Sequence, residues 1–351
     1  MNSSATSFPI TDPTPIFELF RGNHATEILV AAVCHLQIFE HLRGEPQSWE
    51  ELKACIQLEE RPMHVVMTAL QAMGLLKKEA DGNYSSTELT AEHIGDFLDF
   101  GIDGYIGLAA DSPGVIEFLD RLRSNKPRGA EESEEGDGTA FIFKDGMDSA
   151  MQDLHQARHL TLSLAGRAKN VAPHLAARLD LSNTKTVLDL GGGSGIYSIA
   201  LAQKDPSLKA IVIDSEPVLN VAEEFVQQYG VEDQVELRVG DMFTDELPKC
   251  DAVLLSNILH DWDVPECETL LKRSANSLNP GGRVLIHDVF LNDELNGPLP
   301  IALYSAALFT LTEGRAYSAA EYRNMLKNVG LKPASSIIPT FVHCGVLEGT
   351  K

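Results

Sequence analysis

Val187-Leu188-Asp189-Leu190-Gly191-Gly192-Gly193-Ser194-Gly195-Ile196 is the stretch that decides the fold. Its apolar start predicts a buried strand, and five glycine or serine residues in succession then force a turn before helical patterning resumes through Ile196–Gln203. A plain turn needs fewer glycines; a longer run lets a ligand approach the backbone and lets a helix pack closely on the sheet. Downstream the same texture repeats. Strands are predicted at Ala210–Ile213, Val235–Val239, Ala252–Leu255 and Arg283–Ile286, with a helix from near Pro217 to Gly230. Asp263-Val264-Pro265-Glu266 and Ser318-Ala319-Ala320-Glu321 each read as the capped start of a helix, the latter ending at Gly330. Alternation of this kind predicts an α/β fold with a doubly wound, Rossmann-like parallel sheet and a ligand crevice at the strand C-termini.

Upstream, the pattern is mostly helical. Ile28, Leu29, Ala32, Val33, Leu36 and Phe39 recur at three- and four-residue spacing between Pro15 and about Leu42. Ser48-Trp49-Glu50-Glu51 reads as a capping box. A second helix starts near Arg61-Pro62, buries Met63, Val66, Met67, Leu70 and Met73, and stops at Gly74. Leu75–Thr87 then reads as a hairpin around Asp81-Gly82. Helix, helix, hairpin is the order of a winged helix. A DNA-reading version presents Arg and Lys to phosphates, yet residues 48–78 carry four acids against four Lys and Arg. A dimerisation module is therefore expected. Residues 129–138, Gly-Ala-Glu-Glu-Ser-Glu-Glu-Gly-Asp-Gly, read as a solvated acidic loop, and 141–180 return to helical patterning.

Composition narrows the function classes. The 351 residues are 44% hydrophobic and 23% charged, ordinary for a globular chain of about two domains. With 28 Lys and Arg against 51 Asp and Glu, the formal charge is −23, which repels phosphate backbones and anionic membrane surfaces. No nucleic-acid or membrane partner is expected. Five scattered cysteines (Cys34, Cys55, Cys250, Cys267, Cys344) form no CxxC pair and read as buried thiols in a reducing compartment. No secretory signal or membrane-length apolar run is seen, so a soluble, cytoplasmic chain is expected.

Acids recur at the predicted strand ends. Asp189 ends the first strand beside the glycine run, where it suits an ammonium group better than a pyrophosphate. Asp214, twenty-five residues on, is placed to accept hydrogen bonds from ribose hydroxyls. In Gly240-Asp241-Met242-Phe243, Asp241 suits an exocyclic amine, and Met242 with Phe243 suit a purine face. Three such acids favour an adenosine ligand. The run fits neither the dinucleotide fingerprint nor the nucleoside-triphosphate loop, because Ile196 stands where the former needs glycine. His260-Asp261-Trp262 follows the fourth strand and His287-Asp288 ends the fifth, so His260 points toward the crevice with Asp288 available to orient its ring. No second His lies at ligand spacing from His260, and no metal is expected.

Asp-Leu-Gly-Gly-Gly-Ser-Gly, Gly-Asp-Met-Phe and Leu259-His260-Asp261-Trp262, in this order, resemble the S-adenosylmethionine-dependent O-methyltransferases of the caffeic acid/hydroxyindole type. The resemblance covers nearly the whole chain. It implies a winged-helix dimerisation domain over 1–105, a helical connector contributing to the acceptor pocket over 106–180, and a cofactor domain over 181–351. It implies a homodimer, S-adenosylmethionine as cofactor and a small aromatic acceptor. Gly191 and Gly193 would line the methionine part, Asp214 the ribose, and Asp241 with Met242 the adenine. Ser256 stands where relatives often place a cofactor-contacting Lys. His260 would be the base and Asp288 its orienting acid, with Phe143 and Met147 clamping the acceptor. Relatives carry a second acid in a segment that here reads Glu313-Gly314-Arg315-Ala316-Tyr317-Ser318, with Ala316 at the acid's place; either Asp288 suffices, or Glu313 compensates from a shifted position, or the chemistry has drifted. Methylation at carbon or nitrogen, a non-methylating reaction, a silent partner subunit and a winged-helix regulator stay open as alternatives.

Overall fold

The structure, a computed structural model, describes residues 4–95, 98–127 and 154–351. Contacts divide these residues into two compact units that are discontinuous in sequence. One takes residues 4–17, 154–290 and 317–351; the other takes 18–127, less 96 and 97, and 291–316. The acidic loop expected over 129–138, and both Phe143 and Met147, lie outside the described residues.

In the second unit, Ser48 caps the helix Trp49–Ile56. Its Oγ accepts from the Glu51 N–H, and the Glu51 carboxylate accepts from the Ser48 N–H at 2.9 Å. The helix Glu60–Ala72 follows, then strands β1 (Leu76–Lys78) and β2 (Tyr84–Ser86), paired antiparallel around the Asp81-Gly82 turn. Helix, helix and hairpin thus form in the predicted order. Met63, Val66, Met67 and Leu70 are buried as their spacing requires. The same core takes Leu303, Ala306 and Phe309 from the helix Leu299–Leu311, whose apolar residues surround it on all sides. The stretch expected as one helical pattern from Pro15 to Leu42 is broken into Thr14–Arg21, Ala25–Val30, a π-helical turn at Ala31–His35, and Ile38–His41. The last break is at Gln37, whose φ of 48° is left-handed.

The first unit is built on one sheet. Its strands are β3 (Thr186–Leu190), β4 (Lys209–Asp214), β5 (Val235–Val239), β6 (Cys250–Ser256), β7 (Leu278–Leu291), β8 (Tyr317–Ser318), β9 (Lys332–Pro333), β10 (Ile338–Pro339) and β11 (Cys344–Thr350). The order β5-β4-β3-β6-β7 is parallel throughout, with Leu188 opposite Ile211 on one side and Val253 on the other. The chain winds outward from β3 through β4 to β5, then returns to the other side of β3 as β6 and β7. That reversal opens the crevice at the C-terminal ends of β3 and β6. The sheet departs from the expected all-parallel form at one edge. There β11 runs antiparallel to β7, with Val346 opposite His287, and β9 and β10 pair with it. Helices Ile196–Lys204 and Glu216–Tyr229 follow the first two parallel strands. The Ser318 capping box with Glu321 opens the helix Ala319–Asn328.

Candidate active site

At the strand C-termini of the first unit lies a cavity of about 640 Å³. The loop after β3, the ends of β4 and β5 and the segment after β6 line it, together with Leu164 and Arg167 from the helix Leu154–Arg178. Gly191 turns the chain with φ of 65°, and a Cβ there would lie 2.6 Å from Ile258 Cδ1, so only glycine fits. Gly193 also has positive φ, but a Cβ there would meet nothing within 4 Å; its side toward the cavity is open.

The acids sort differently from one another. Asp214 accepts the Gly193 N–H at 2.9 Å through one oxygen and the Ser215 N–H at 2.8 Å through the other. Burial pushes its carboxyl up from the ordinary range against those two hydrogen bonds. Asp241 is exposed and accepts the Phe243 N–H at 2.7 Å through Oδ1, and Phe243 packs edge-on to Trp262 with ring centroids 4.7 Å apart. Asp214, Asp241, Met242, Phe243 and Ser256 all line the cavity. Asp189 does not, which corrects its expected place beside the ligand. It is buried beneath the glycine loop, where Ser198 Oγ donates to it at 2.6 Å and burial pushes its carboxyl up to about 7. A Cβ on Gly192 would touch its carboxyl carbon, 2.8 Å away. Its role in the structure is to sit under the turn.

His260 and Asp288 come together. His260, 3% exposed, sits in a 3-10 turn after β6, and its Nδ1 lies 2.5 Å from Asp288 Oδ1 on β7. A carboxylate only accepts, so Nδ1 donates and Nε2 keeps the lone pair. Burial lowers the imidazole's proton affinity, but the Asp288 and Asp261 carboxylates outweigh it, and the ring is held above its ordinary value. The Asp288 N-terminal neighbour is equally constrained. His287 is buried between Ser256 Oγ at 2.8 Å and Thr340 Oγ1 at 3.2 Å, and burial drives its pKa down to about 3. The Asp288 carboxylate also accepts from Tyr322 Oη at 3.2 Å and from the Val289 N–H at 2.8 Å. His260 itself does not line the cavity, whereas Ile258, Asp261 and Trp262 around it do.

Residues 138–332 match the O-methyltransferase domain family, and residues 17–95 match the O-methyltransferase dimerisation domain. The chain belongs to the O-methyltransferase family. It is 30% identical to the 3-hydroxy-5-methyl-1-naphthoate 3-O-methyltransferase of Streptomyces sahachiroi over 93% of this chain and 91% of that one. It is 32% identical to the L-tyrosine C(3)-methyltransferase of Streptomyces lavendulae, over 94% and 90%. Among solved structures it is similar to an O-methyltransferase family 2 protein of Planctomyces limnophilus DSM 3776 in complex with apigenin. That match has TM-score 0.89 and 45% identity over 100% of this chain and 99% of the other.

S-adenosylmethionine is the cofactor of the O-methyltransferases, and the residues present fit it. The open side of Gly193 leaves space along the loop, Asp214 offers carboxylate oxygens, and Met242 with Phe243 offers an apolar wall. Tyr197 and Asn257 also line the cavity, with the Tyr197 hydroxyl beside the Asn257 and Ser256 side chains. Neither residue stood out in the sequence, nor did Arg167. Tyr197 reads as one more apolar residue of the helix after the glycine run, and Asn257 as a loop residue. No repeat or spacing marks Arg167. Among the described residues, no cluster of three or more His, Cys, Asp or Glu is arranged to hold a metal ion, and no helix is long and apolar enough to cross a membrane.

Proposed function

We propose that this O-methyltransferase acts on a hydroxyl of a small aromatic acceptor, with His260 as general base and Asp288 as the residue that positions it. The 2.5 Å contact between His260 Nδ1 and Asp288 Oδ1 carries this reading. S-adenosylmethionine supplies an electrophilic methyl group on a sulfonium. A phenol has a pKa near ~10 and attacks poorly until it loses its proton. His260 takes that proton at Nε2, and Asp288 holds the ring in the tautomer that carries its hydrogen on Nδ1, with the Asp261 carboxylate 3.6 Å from Nε2. Trp262, Ile258 and Leu164 give the cavity apolar wall, which keeps bulk water from competing for the hydroxyl. Proton removal at oxygen is the step that needs a buried base of raised affinity, which favours oxygen over carbon or nitrogen as acceptor atom. The likeness to a protein crystallised with apigenin and to a 3-hydroxy-5-methyl-1-naphthoate 3-O-methyltransferase supports an aromatic acceptor. Phe143 and Met147 are assigned to the acceptor side on the family resemblance.

Homodimerisation is assigned to the N-terminal domain, supported by the match over 17–95. The winged-helix order is not read as DNA binding. Arg61, on the helix where a recognition surface would lie, is buried and bonds to Asn125, Thr312 and Gly314, while Glu60 pairs with Lys53 at 2.5 Å. A cytoplasmic enzyme without nucleic-acid or membrane partners is the reading these features favour. The test is methyl transfer from labelled S-adenosylmethionine to a panel of phenols, naphthols and flavones, with His260→Ala beside the wild type. Label on oxygen of at least one aromatic acceptor, lost in the variant, is the expected result; turnover that survives in His260→Ala would sink the assigned base.

A further inference from the structure

Two neighbouring tyrosines reach the proposed base and its acid. Tyr317, on β8, donates its hydroxyl at 2.7 Å to the carbonyl of Trp262, the residue that ends the 3-10 turn carrying His260. Tyr322, on the helix Ala319–Asn328, donates at 3.2 Å to Asp288 Oδ2, the oxygen that His260 does not use. Both tyrosines are fully buried, and their rings pack together with centroids 5.3 Å apart. β8 pairs with β7, the strand of Asp288, and the Ser318 capping box sets the start of the helix between the two tyrosines. Cys267, on the helix Val264–Ser277, adds a weaker hold on the turn. Its Sγ donates to the Leu259 carbonyl at 3.1 Å, with the Trp262 carbonyl at 3.4 Å. Phenylalanine would fill the space of either tyrosine. The two hydroxyls go instead to the two acceptors that set the 2.5 Å contact between His260 and Asp288.

We propose that Tyr317 and Tyr322 are positioning residues for methyl transfer, a packed pair in which one holds the His260 turn and the other the Asp288 carboxylate. That role rests on the assignment of His260 as base. The two hydroxyls act on the imidazole in opposite senses. Tyr317 keeps the turn where Nδ1 meets Asp288, and so strengthens the carboxylate's hold on the ring proton. Tyr322 puts a donor on the same carboxylate, spreads its charge, and so weakens that hold. The other groups facing the pair are common to the wild type and the variants: Asp261, 3.6 Å from Nε2; Arg167 on the helix Leu154–Arg178; and His287, which burial keeps neutral with its pKa down at about 3. Burial also pushes the Tyr322 hydroxyl well above its ordinary value, so it stays a donor across the working pH range.

The test is an NMR titration of the His260 imidazole in the full-length, histidine-labelled protein, which needs no turnover; the signal missing from His260→Ala identifies the ring. Tyr317→Phe is expected to lower the His260 titration point, because the turn loosens and Nδ1 draws away from Asp288. Tyr322→Phe is expected to raise it, because the carboxylate loses a donor. The acid limb of kcat/KM should move in the same two directions, and kcat should fall roughly tenfold in Tyr317→Phe, as a small displacement of a reacting group commonly brings about. A role in packing alone would lower the melting temperature of both variants and leave the titration in place. Movement in the same direction in both variants, or in neither, would overturn the pair. Cys267→Ala takes the weaker donor from the same turn and should lower the titration point as Tyr317→Phe does, so the direction can be read even if Tyr317→Phe fails to fold. Transfer lost in His260→Ala with an unmoved titration in the tyrosine variants keeps the base and overturns only the pair. Transfer that survives in His260→Ala overturns the base, and with it the pair's part in catalysis.

Discussion

Asp288 Oδ1 stands 2.5 Å from His260 Nδ1 across the ends of two neighbouring parallel strands, and Tyr322 Oη donates to the other oxygen of the same carboxylate at 3.2 Å. One acid thus ties the histidine to the sheet and to the helix Ala319–Asn328 behind it. The consequence is electrostatic as well as geometric, because the Asp288 charge is the largest influence holding the imidazole above its ordinary value of 6.5 against burial.

That sign fixes a pH profile. The proposed base, His260, works in its neutral form, so on that assignment kcat/KM is expected to fall as pH drops through the raised histidine value, with the acid limb above 6.5. His260→Ala should cost about 10²–10⁴ in kcat, the usual contribution of a general base. Asp288→Asn should move the limb to lower pH and reduce the plateau, because the ring loses both its charge partner and its fixed tautomer. An acid limb that stays in place in Asp288→Asn would show that this carboxylate does not set the base.

Asp189 makes a separate prediction about stability. Burial, with Asp214 nearby, raises its folded-state value from 3.8 to about 7, while a Ser198 hydrogen bond opposes the shift. A raised folded value means the protonated form suits the fold. The stabilisation is full below the unfolded value near 4 and is lost as pH rises through about 7. Asp189→Asn keeps the acceptor for Ser198 and removes the charge. It is expected to raise stability at pH 8 by on the order of 1–3 kcal/mol and to flatten the dependence between pH 4 and 7. Urea melts at four pH values measure it; an unchanged slope would mean that another group titrates there.

At Gly191, sterics and backbone act together. Gly191→Ala would place a methyl 2.6 Å from Ile258 Cδ1 and force a side chain onto φ of 65°. A cost of about 1–3 kcal/mol is expected, with weakened S-adenosylhomocysteine binding. Pairing it with Ile258→Val, which deletes the clashing Cδ1, should recover part of the stability and leave the φ strain. Full recovery would show that the clash alone matters.

The parallel half of the sheet was legible because each strand is a short apolar run closed by a glycine or an acid. Val235–Val239 was matched to the residue and Ala252–Leu255 lies inside Cys250–Ser256. The antiparallel β11 was not legible. Its sequence Cys-Gly-Val-Leu-Glu-Gly-Thr contains two glycines, yet they are needed for packing: a Cβ on Gly349 would lie 2.6 Å from Leu326 Cδ2. The helix Leu299–Leu311 was missed for the opposite reason. It is apolar on every side, so it has no periodicity to read, and it packs in the unit of the helix Glu60–Ala72 instead of the sheet's unit. Within the site, Asp214, Asp241 and His260 were legible as charged residues at strand ends. Asp189 looked identical in sequence and lies one layer deeper. Depth below a loop has no sequence signature. Tyr197 and Asn257 likewise join the cavity lining only in three dimensions.

Arg61 decides between the two readings of the winged-helix order. Its Nε donates to Asn125 Oδ1 at 2.8 Å, Nη2 to the Asn125 carbonyl at 2.8 Å, and Nη1 to the Thr312 and Gly314 carbonyls at 3.0 and 3.2 Å. The guanidinium carbon also lies over the Phe309 ring, 4.5 Å from its centroid. A residue so engaged holds the segment carrying Glu313 and Ala316 against its own unit and has nothing left for a phosphate. Arg61→Met keeps the stem's apolar packing but deprives two buried carbonyls, of Thr312 and Gly314, and the part-buried Asn125 carbonyl of their donor. It is expected to destabilise the protein by on the order of 2–4 kcal/mol in urea melts. Arg61→Lys should recover little, since one ammonium does not span the same acceptors as a planar fork. If Arg61→Met instead leaves the urea midpoint unchanged and abolishes a salt-sensitive shift of duplex DNA by the wild type, the helix is a recognition helix and the regulator reading returns.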